Sequence, residues 1–151
     1  MSEGTVPVPP PNLELTQDEK AYAGLAHALM ISTWWIGPLV IFLMKRSSRF
    51  VSFHALQALL WQIIFTLLYI GGMVSLFGVM FATMASMPQG KTAEAQFPTG
   101  LFFVMPIFWL IMIGGFAISL TLGILYTLKA MRGEWAPYPV IGRLAARIVN
   151  S

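Results

Sequence analysis

The sequence predicts an all-α integral membrane protein, and three observations predict it. Of 151 residues, 57% are hydrophobic and 10% charged, where a soluble domain carries about 25% charged residues to cover its surface. Residues 55–90 and 100–128 contain no Asp, Glu, Lys, Arg or His, and each run exceeds the roughly 18–20 apolar residues that mark a bilayer span. The charges gather in the short stretches between and beyond these runs. Three transmembrane helices are expected, at about residues 22–44, 51–85 and 101–131, followed by a short interfacial helix, with residues 16–151 forming one transmembrane domain.

The first fifteen residues hold Pro7, Pro9, Pro10 and Pro11 with little apolar content, a composition that favours an extended, flexible tail. This tail has neither the basic, apolar and small-residue order of a secretory signal nor the arginines of a transit peptide. Thr16 followed by Glu19 has the spacing of a capping box, so a helix begins near Gln17 and leads into the first span. Pro38 is expected to kink that span. Lys45, Arg46 and Arg49 form a basic loop. The second helix would measure about 50 Å at 1.5 Å per residue, against about 30 Å of hydrocarbon, and Gly71 with Gly72 could bend it. Residues 86–100, rich in polar residues with Pro and Gly, supply a loop. Pro106 falls in the early turns of the third helix, where it is tolerated. Pro137 and Pro139 end that helix, and beyond them Val140, Ile141, Leu144, Ala145 and Ile148 share an arc opposite Arg143 and Arg147. Such a helix lies on the membrane surface with its arginines among lipid headgroups.

Acidic residues dominate the tail, whereas the first loop and the C-terminal segment are basic. Three crossings under the positive-inside tendency put the N-terminus outside and the C-terminus in the cytoplasm.

Two patterns on the spans concern packing. Gly71, Ser75, Gly78 and Ala82 recur at helical spacing on the second helix, and Gly115, Ser119 and Gly123 on the third. In lipid, small-residue stripes let helices approach closely, so a tight hairpin of these two helices is expected, with self-association or docking on a partner as the alternative use. The tryptophans Trp34 and Trp35 are read as packing residues.

Polar residues inside the apolar runs are the candidate sites. His54, Gln57 and Trp61 lie on one helical face, and buried polar groups need partners. The expected partner of His54 and Gln57 is the run "GEWAPYP", residues 133–139, which adds Glu134, Trp135 and Tyr138 to the stripe; Glu134 is expected to pair with Arg132 or Arg143. A substrate or a hydrated path at His54 and Gln57 is the functional alternative. His27, four residues after Ala23, is a further candidate as an axial ligand to haem or chlorin, set against the plainer reading of a hydrogen-bonded histidine. With no cysteine in the chain, thiolate metal sites, disulfides and Cys nucleophiles are excluded. No metal site, catalytic triad or carboxylate pair is visible, so enzyme activity is not expected, nor is a nucleic-acid partner.

"GPLVIFLMKR" followed by "FVSFHALQALLWQ", and later "KAMRGEWAPYPVIGRLA", resemble the bacterial relatives of the twenty-kilodalton inner-envelope component of the plastid Tic translocon. The resemblance rests on Phe53, His54, Gln57 and Ala58, on Gly133, Glu134, Trp135, Tyr138 and Pro139, and on "LAH" at residues 25–27, and it covers about residues 21–146. It implies a small polytopic protein of the bacterial inner membrane, from a family linked, in plastids, to preprotein import. Three helices fill their common axis with side chains, so one copy encloses no polypeptide channel. The leading expectation is a non-catalytic accessory or scaffold subunit of a larger membrane assembly or homo-oligomer, with a protein-translocation component second and a haem- or chlorin-binding subunit third.

Overall fold

The computed structural model describes residues 14–86, 99–139 and 141–150. The proline-rich tail, most of the 86–100 loop and Val140 lie outside the described residues. Among the described residues there are five helices and no strand: α1 (Gln17–Ser32), α2 (Ile36–Met44), α3 (Arg49–Ala85), α4 (Thr99–Met131) and α5 (Gly142–Asn150). They fall into two compact units, one of residues up to Ile64 and from Ile118 onward, the other Phe65–Ala117.

In the first unit, α1 starts at the capping box: the Glu19 amide donates to Thr16 Oγ1 at 3.2 Å, and the Thr16 amide to Glu19 Oε2 at 2.9 Å. The helix stops at Ser32, and the chain turns through Trp34, whose φ of 59° is left-handed. There Thr33 Oγ1 donates to the Leu29 carbonyl and accepts from the Gly37 amide. α2 then runs back along α1. Leu29 abuts Gly37, Ala26 clusters with Ile41, Lys45 Nζ sits 4.3 Å from the centre of the Tyr22 ring, and Ser48 Oγ donates to Glu19 Oε1 at 2.7 Å. Pro38 occupies the first turn of α2, where its missing N–H costs no helical bond.

The expected first span, residues 22–44, is therefore a helical hairpin and not a crossing. Its arms of 16 and 9 residues reach about 24 and 14 Å, short of a hydrocarbon core of about 30 Å. Two helices are long and apolar enough to cross a membrane, Arg49–Ala85 and Phe102–Met131, where the sequence predicts three. Near the start of α1, Leu15 and Trp135 pack on the same cluster of Ala23, Phe50 and Ala130.

α3 passes Gly71 and Gly72 without interruption. In the second unit the hairpin between α3 and α4 closes by rings set against glycines: a Cβ on Gly72 would lie 2.8 Å from Phe108, and one on Gly115 would strike Phe65. The predicted stripe on α3 does not face α4. Gly71 and Gly78 have nothing within 4 Å, Ser75 and Ala82 are exposed, and Ser75 Oγ returns its proton to the Gly71 carbonyl. Gly72, about 100° round the helix from Gly71, is the position that meets a neighbour. Around this unit Leu67, Leu68, Val74, Phe81, Phe102 and Leu110 are all more than 60% exposed, an apolar surface that lipid covers and water would not tolerate.

Candidate functional site

The first unit encloses a polar cluster built from α1, α3, α4 and the segment after α4. α4 ends at Met131, and two residues on, Gly133, with a φ of 81°, allows the Glu134 amide to reach the Lys129 carbonyl and its own amide the Ala130 carbonyl, the paired bonds of a glycine-terminated helix. A side chain there would also crowd Lys20. The chain then leaves α4 in extended form through "EWAPY", where Pro137 carries no N–H, and the remaining backbone groups need partners.

α3 supplies them. His54 Nε2 lies 3.1 Å from the Glu134 carbonyl, Gln57 Nε2 donates to the Ala136 carbonyl at 3.3 Å, and Gln57 Oε1 accepts from the Tyr138 amide. With both ends of its amide engaged, Gln57 bonds to this segment as a neighbouring strand would. From α4, Tyr126 Oη donates to the Pro137 carbonyl at 2.9 Å.

Deeper still, Tyr138 Oη stands 2.8 Å from His27 Nδ1, and His27 Nε2 stands 3.0 Å from His54 Nδ1. A carbonyl only accepts, so His54 Nε2 carries the proton toward Glu134 and its Nδ1 is bare. His27 then donates through Nε2, and its own bare Nδ1 accepts from Tyr138. Every member of this chain is satisfied with both imidazoles neutral. His27, His54 and Gln57 are completely buried. Burial also pushes the Tyr138 phenol above its ordinary value, with Tyr126 nearby adding to the shift.

Aromatic rings seal the cluster. Phe50 meets both His54 and Trp135 edge-on, and Trp135 also lies 5.4 Å from Phe53. The Trp135 indole N–H is buried and has no acceptor among the described residues. On the next turns of α3, Trp61 Nε1 donates to Ser119 Oγ at 2.8 Å, and Gln62 Nε2 to the Met30 carbonyl at 2.7 Å. α1 packs on α4 through glycines: a Cβ on Gly24 would lie 2.8 Å from Met131, and one on Gly123 would lie 2.7 Å from Ile31. Of the predicted α4 stripe, Gly115 meets α3, while Gly123 serves α1.

The structure thus gathers His54, Gln57, Glu134 and Tyr138, and places Trp61 edge-on to Tyr138. Glu134 enters through its backbone; its carboxylate is exposed, 4.0 Å from Arg132. His27 joins the cluster with both ring nitrogens hydrogen-bonded, Nδ1 to Tyr138 and Nε2 to His54. Sequence reasoning missed Tyr126 and the link between His27 and His54. The signal was present: a phenol within an uncharged span, and two histidines in the chain, each written into apolar sequence. Among the described residues there is no group of three or more His, Cys, Asp or Glu able to hold a metal.

α5 differs in its facing. Ile141, Ala145 and Ala146 are buried, with both alanines against Phe53, Leu56 and Leu59, whereas Leu144 and Ile148 are nearly half exposed beside the exposed Arg143 and Arg147. The arc predicted for lipid is divided between protein and surface, because Ala145 and Ala146 pack against Phe53, Leu56 and Leu59 of α3.

Residues 18–145 match the MamF/MmsF family, described as a magnetosome magnetite crystal formation protein family. The chain belongs to that family. The MamF/MmsF match includes both crossing helices and the whole polar cluster, and it makes this a bacterial membrane protein. No curated protein and no solved structure matches the chain. The family match overturns the Tic-like resemblance. Phe53, His54 and Gln57 and the 133–139 run are the two halves of one clamp; what looked like a translocon signature is how this fold fastens its C-terminal segment.

Proposed function

We propose that this chain is a non-catalytic membrane scaffold that takes part in magnetite crystal formation, working with a larger membrane assembly or with further copies of itself. The observation that carries this reading is the MamF/MmsF match over residues 18–145, which spans nearly every described residue. The character of the polar cluster supports it. Its groups are closed on one another, fully buried and bonded largely to backbone, so they hold helices and leave no group free to attack a substrate. No ligand for iron is assigned; the contribution to the mineral comes from a membrane surface of fixed geometry.

The same reading places the basic end in the cytoplasm. Lys45, Arg46 and Arg49 follow α2, Lys129 and Arg132 flank the end of α4, and Arg143 and Arg147 lie on α5, all within the first unit. Positive-inside bias then puts this end inside, with residues 14–20 on that face too.

The test is removal of the chain from a magnetite-forming cell, with crystal size and shape read by electron microscopy. Crystals are expected to shrink or lose shape, and the wild-type chain to restore them. Unchanged crystals in the cell lacking the chain overturn the proposal.

A further inference from the structure

We infer that the cleft between the basic loop and α5 is a binding site for the phosphate of an anionic phospholipid. The cleft has a volume of about 300 Å³ and is lined by Phe42, Arg46, Ser47, Arg49, Ser52 and the end of α5 at Ile148 and Val149. Two arginines face one space with no carboxylate in its wall, and neither is ion-paired among the described residues. Arginines left unpaired around a shared cavity suit a phosphate, whose oxygens accept their N–H groups in pairs.

The floor fits the same ligand. Ser52 is buried, and its hydroxyl is turned to the Lys45 and Arg46 carbonyls at 3.2 and 3.5 Å. That bond fixes the loop that carries Arg46 and leaves lone pairs, not a second proton, on Ser52. Anion contacts therefore fall to the two guanidinium groups and to Ser47, which is exposed. Arg46 is held in place, its guanidinium 5.2 Å from the centre of the Phe42 ring. Arg49 opens α3, whose first-turn amides add positive potential.

The remaining wall decides between a free anion and a lipid. Phe42, Ile148 and Val149 are apolar, and Ile148 is 44% exposed. An inorganic phosphate gains nothing from them. A phospholipid lays its glycerol and upper acyl carbons there while its phosphate sits between the arginines. The site is independent of the role in mineral formation, and Arg143 and Arg147 do not line it.

Full-length protein purified in neutral detergent is to be titrated with phosphatidylglycerol, phosphatidylcholine or inorganic phosphate, and bound lipid counted by native mass spectrometry. One phosphatidylglycerol per chain is expected to be retained in preference to phosphatidylcholine. Arg46→Gln with Arg49→Gln is expected to weaken it at least tenfold, while Arg143→Gln with Arg147→Gln leaves it within twofold. Both pairs are exposed, and an unchanged melting temperature without lipid verifies folding. Ile148→Ser, on the apolar wall, is expected to weaken phosphatidylglycerol and leave phosphate untouched; it also tests the site if the arginine variants do not fold. Equal retention of the two lipids, equal loss in both arginine pairs, or phosphate binding as tightly as phosphatidylglycerol overturns the inference.

Discussion

Gln57 carries the most consequence for a single side chain, because its amide serves two buried backbone groups at once. Replacing it by Leu leaves the Ala136 carbonyl and the Tyr138 amide unpaired, at about 1–3 kcal/mol for each such group. Gln57→Leu is therefore expected to lower stability by roughly 2–6 kcal/mol in detergent unfolding; a variant as stable as the wild type would contradict the clamp. Tyr138 is tested by alkali. Its phenol is raised above the ordinary value of about 10, so the folded state resists losing that proton. The stabilisation is whole below about pH 10 and drains away as pH rises further. Absorbance near 295 nm should show one of the four tyrosines ionising only as the protein unfolds, and Tyr138→Phe should remove that late step. Trp135 behaves differently: its N–H has no acceptor among the described residues, so Trp135→Phe should cost little, whereas Trp135→Ala forfeits the packing on Phe50 and Phe53, about 3–5 kcal/mol. At this scale much of the site was legible. His54 and Gln57 share a helical face, and the proline-bearing run must find donors somewhere. His27 was read without its partners, because they stand 27 and 111 positions away and no local spacing points to them.

Among the elements, α3 and α4 could be read directly, since long uncharged runs have one stable form in lipid. The hairpin of α1 and α2 could not. Hydropathy measures composition over a window, and 22–44 holds no Asp, Glu, Lys or Arg; the reversal depends on Trp34 adopting a left-handed backbone, which tryptophan seldom does. The weak marks were Thr33, which bonds both arms, and Gly37, which lets Leu29 approach. Trp34 stores strain of about 1–3 kcal/mol. Trp34→Gly should keep or raise the melting temperature and Trp34→Ile should lower it; the reverse order would show that the turn is not strained. The small-residue stripes illustrate a second limit. Spacing identifies which residues share a face, but the partner chooses the face, and on α3 the ring of Phe108 chose Gly72.

For the molecule as a whole, two helices long and apolar enough to cross a membrane are an even count, which predicts that Gln17 and Arg143 face the same side. The chain has no native cysteine, which makes the test direct. Gln17→Cys and Arg143→Cys should react with a membrane-impermeant maleimide from the same side, and Ser86→Cys from the other. Labelling of the first two from opposite sides would restore a third crossing. The charge asymmetry behind the expectation of opposite ends includes Glu19, an acidic residue in the first turn of α1 that finds partners locally. Ser48's hydroxyl and the Thr16 amide hold the Glu19 carboxylate below its usual range, so this acidic group is a partner for the basic loop.

The clamp also fixes an order of events during synthesis. His27, His54 and Gln57 leave the ribosome well before Tyr138, and until that residue arrives each stands in an oily interior with a polar atom unanswered. The earlier helices are thus inserted but unfinished, a state that membrane chaperones and proteases recognise, and a chain cut short before the final proline-bearing ribbon should be cleared and not stored.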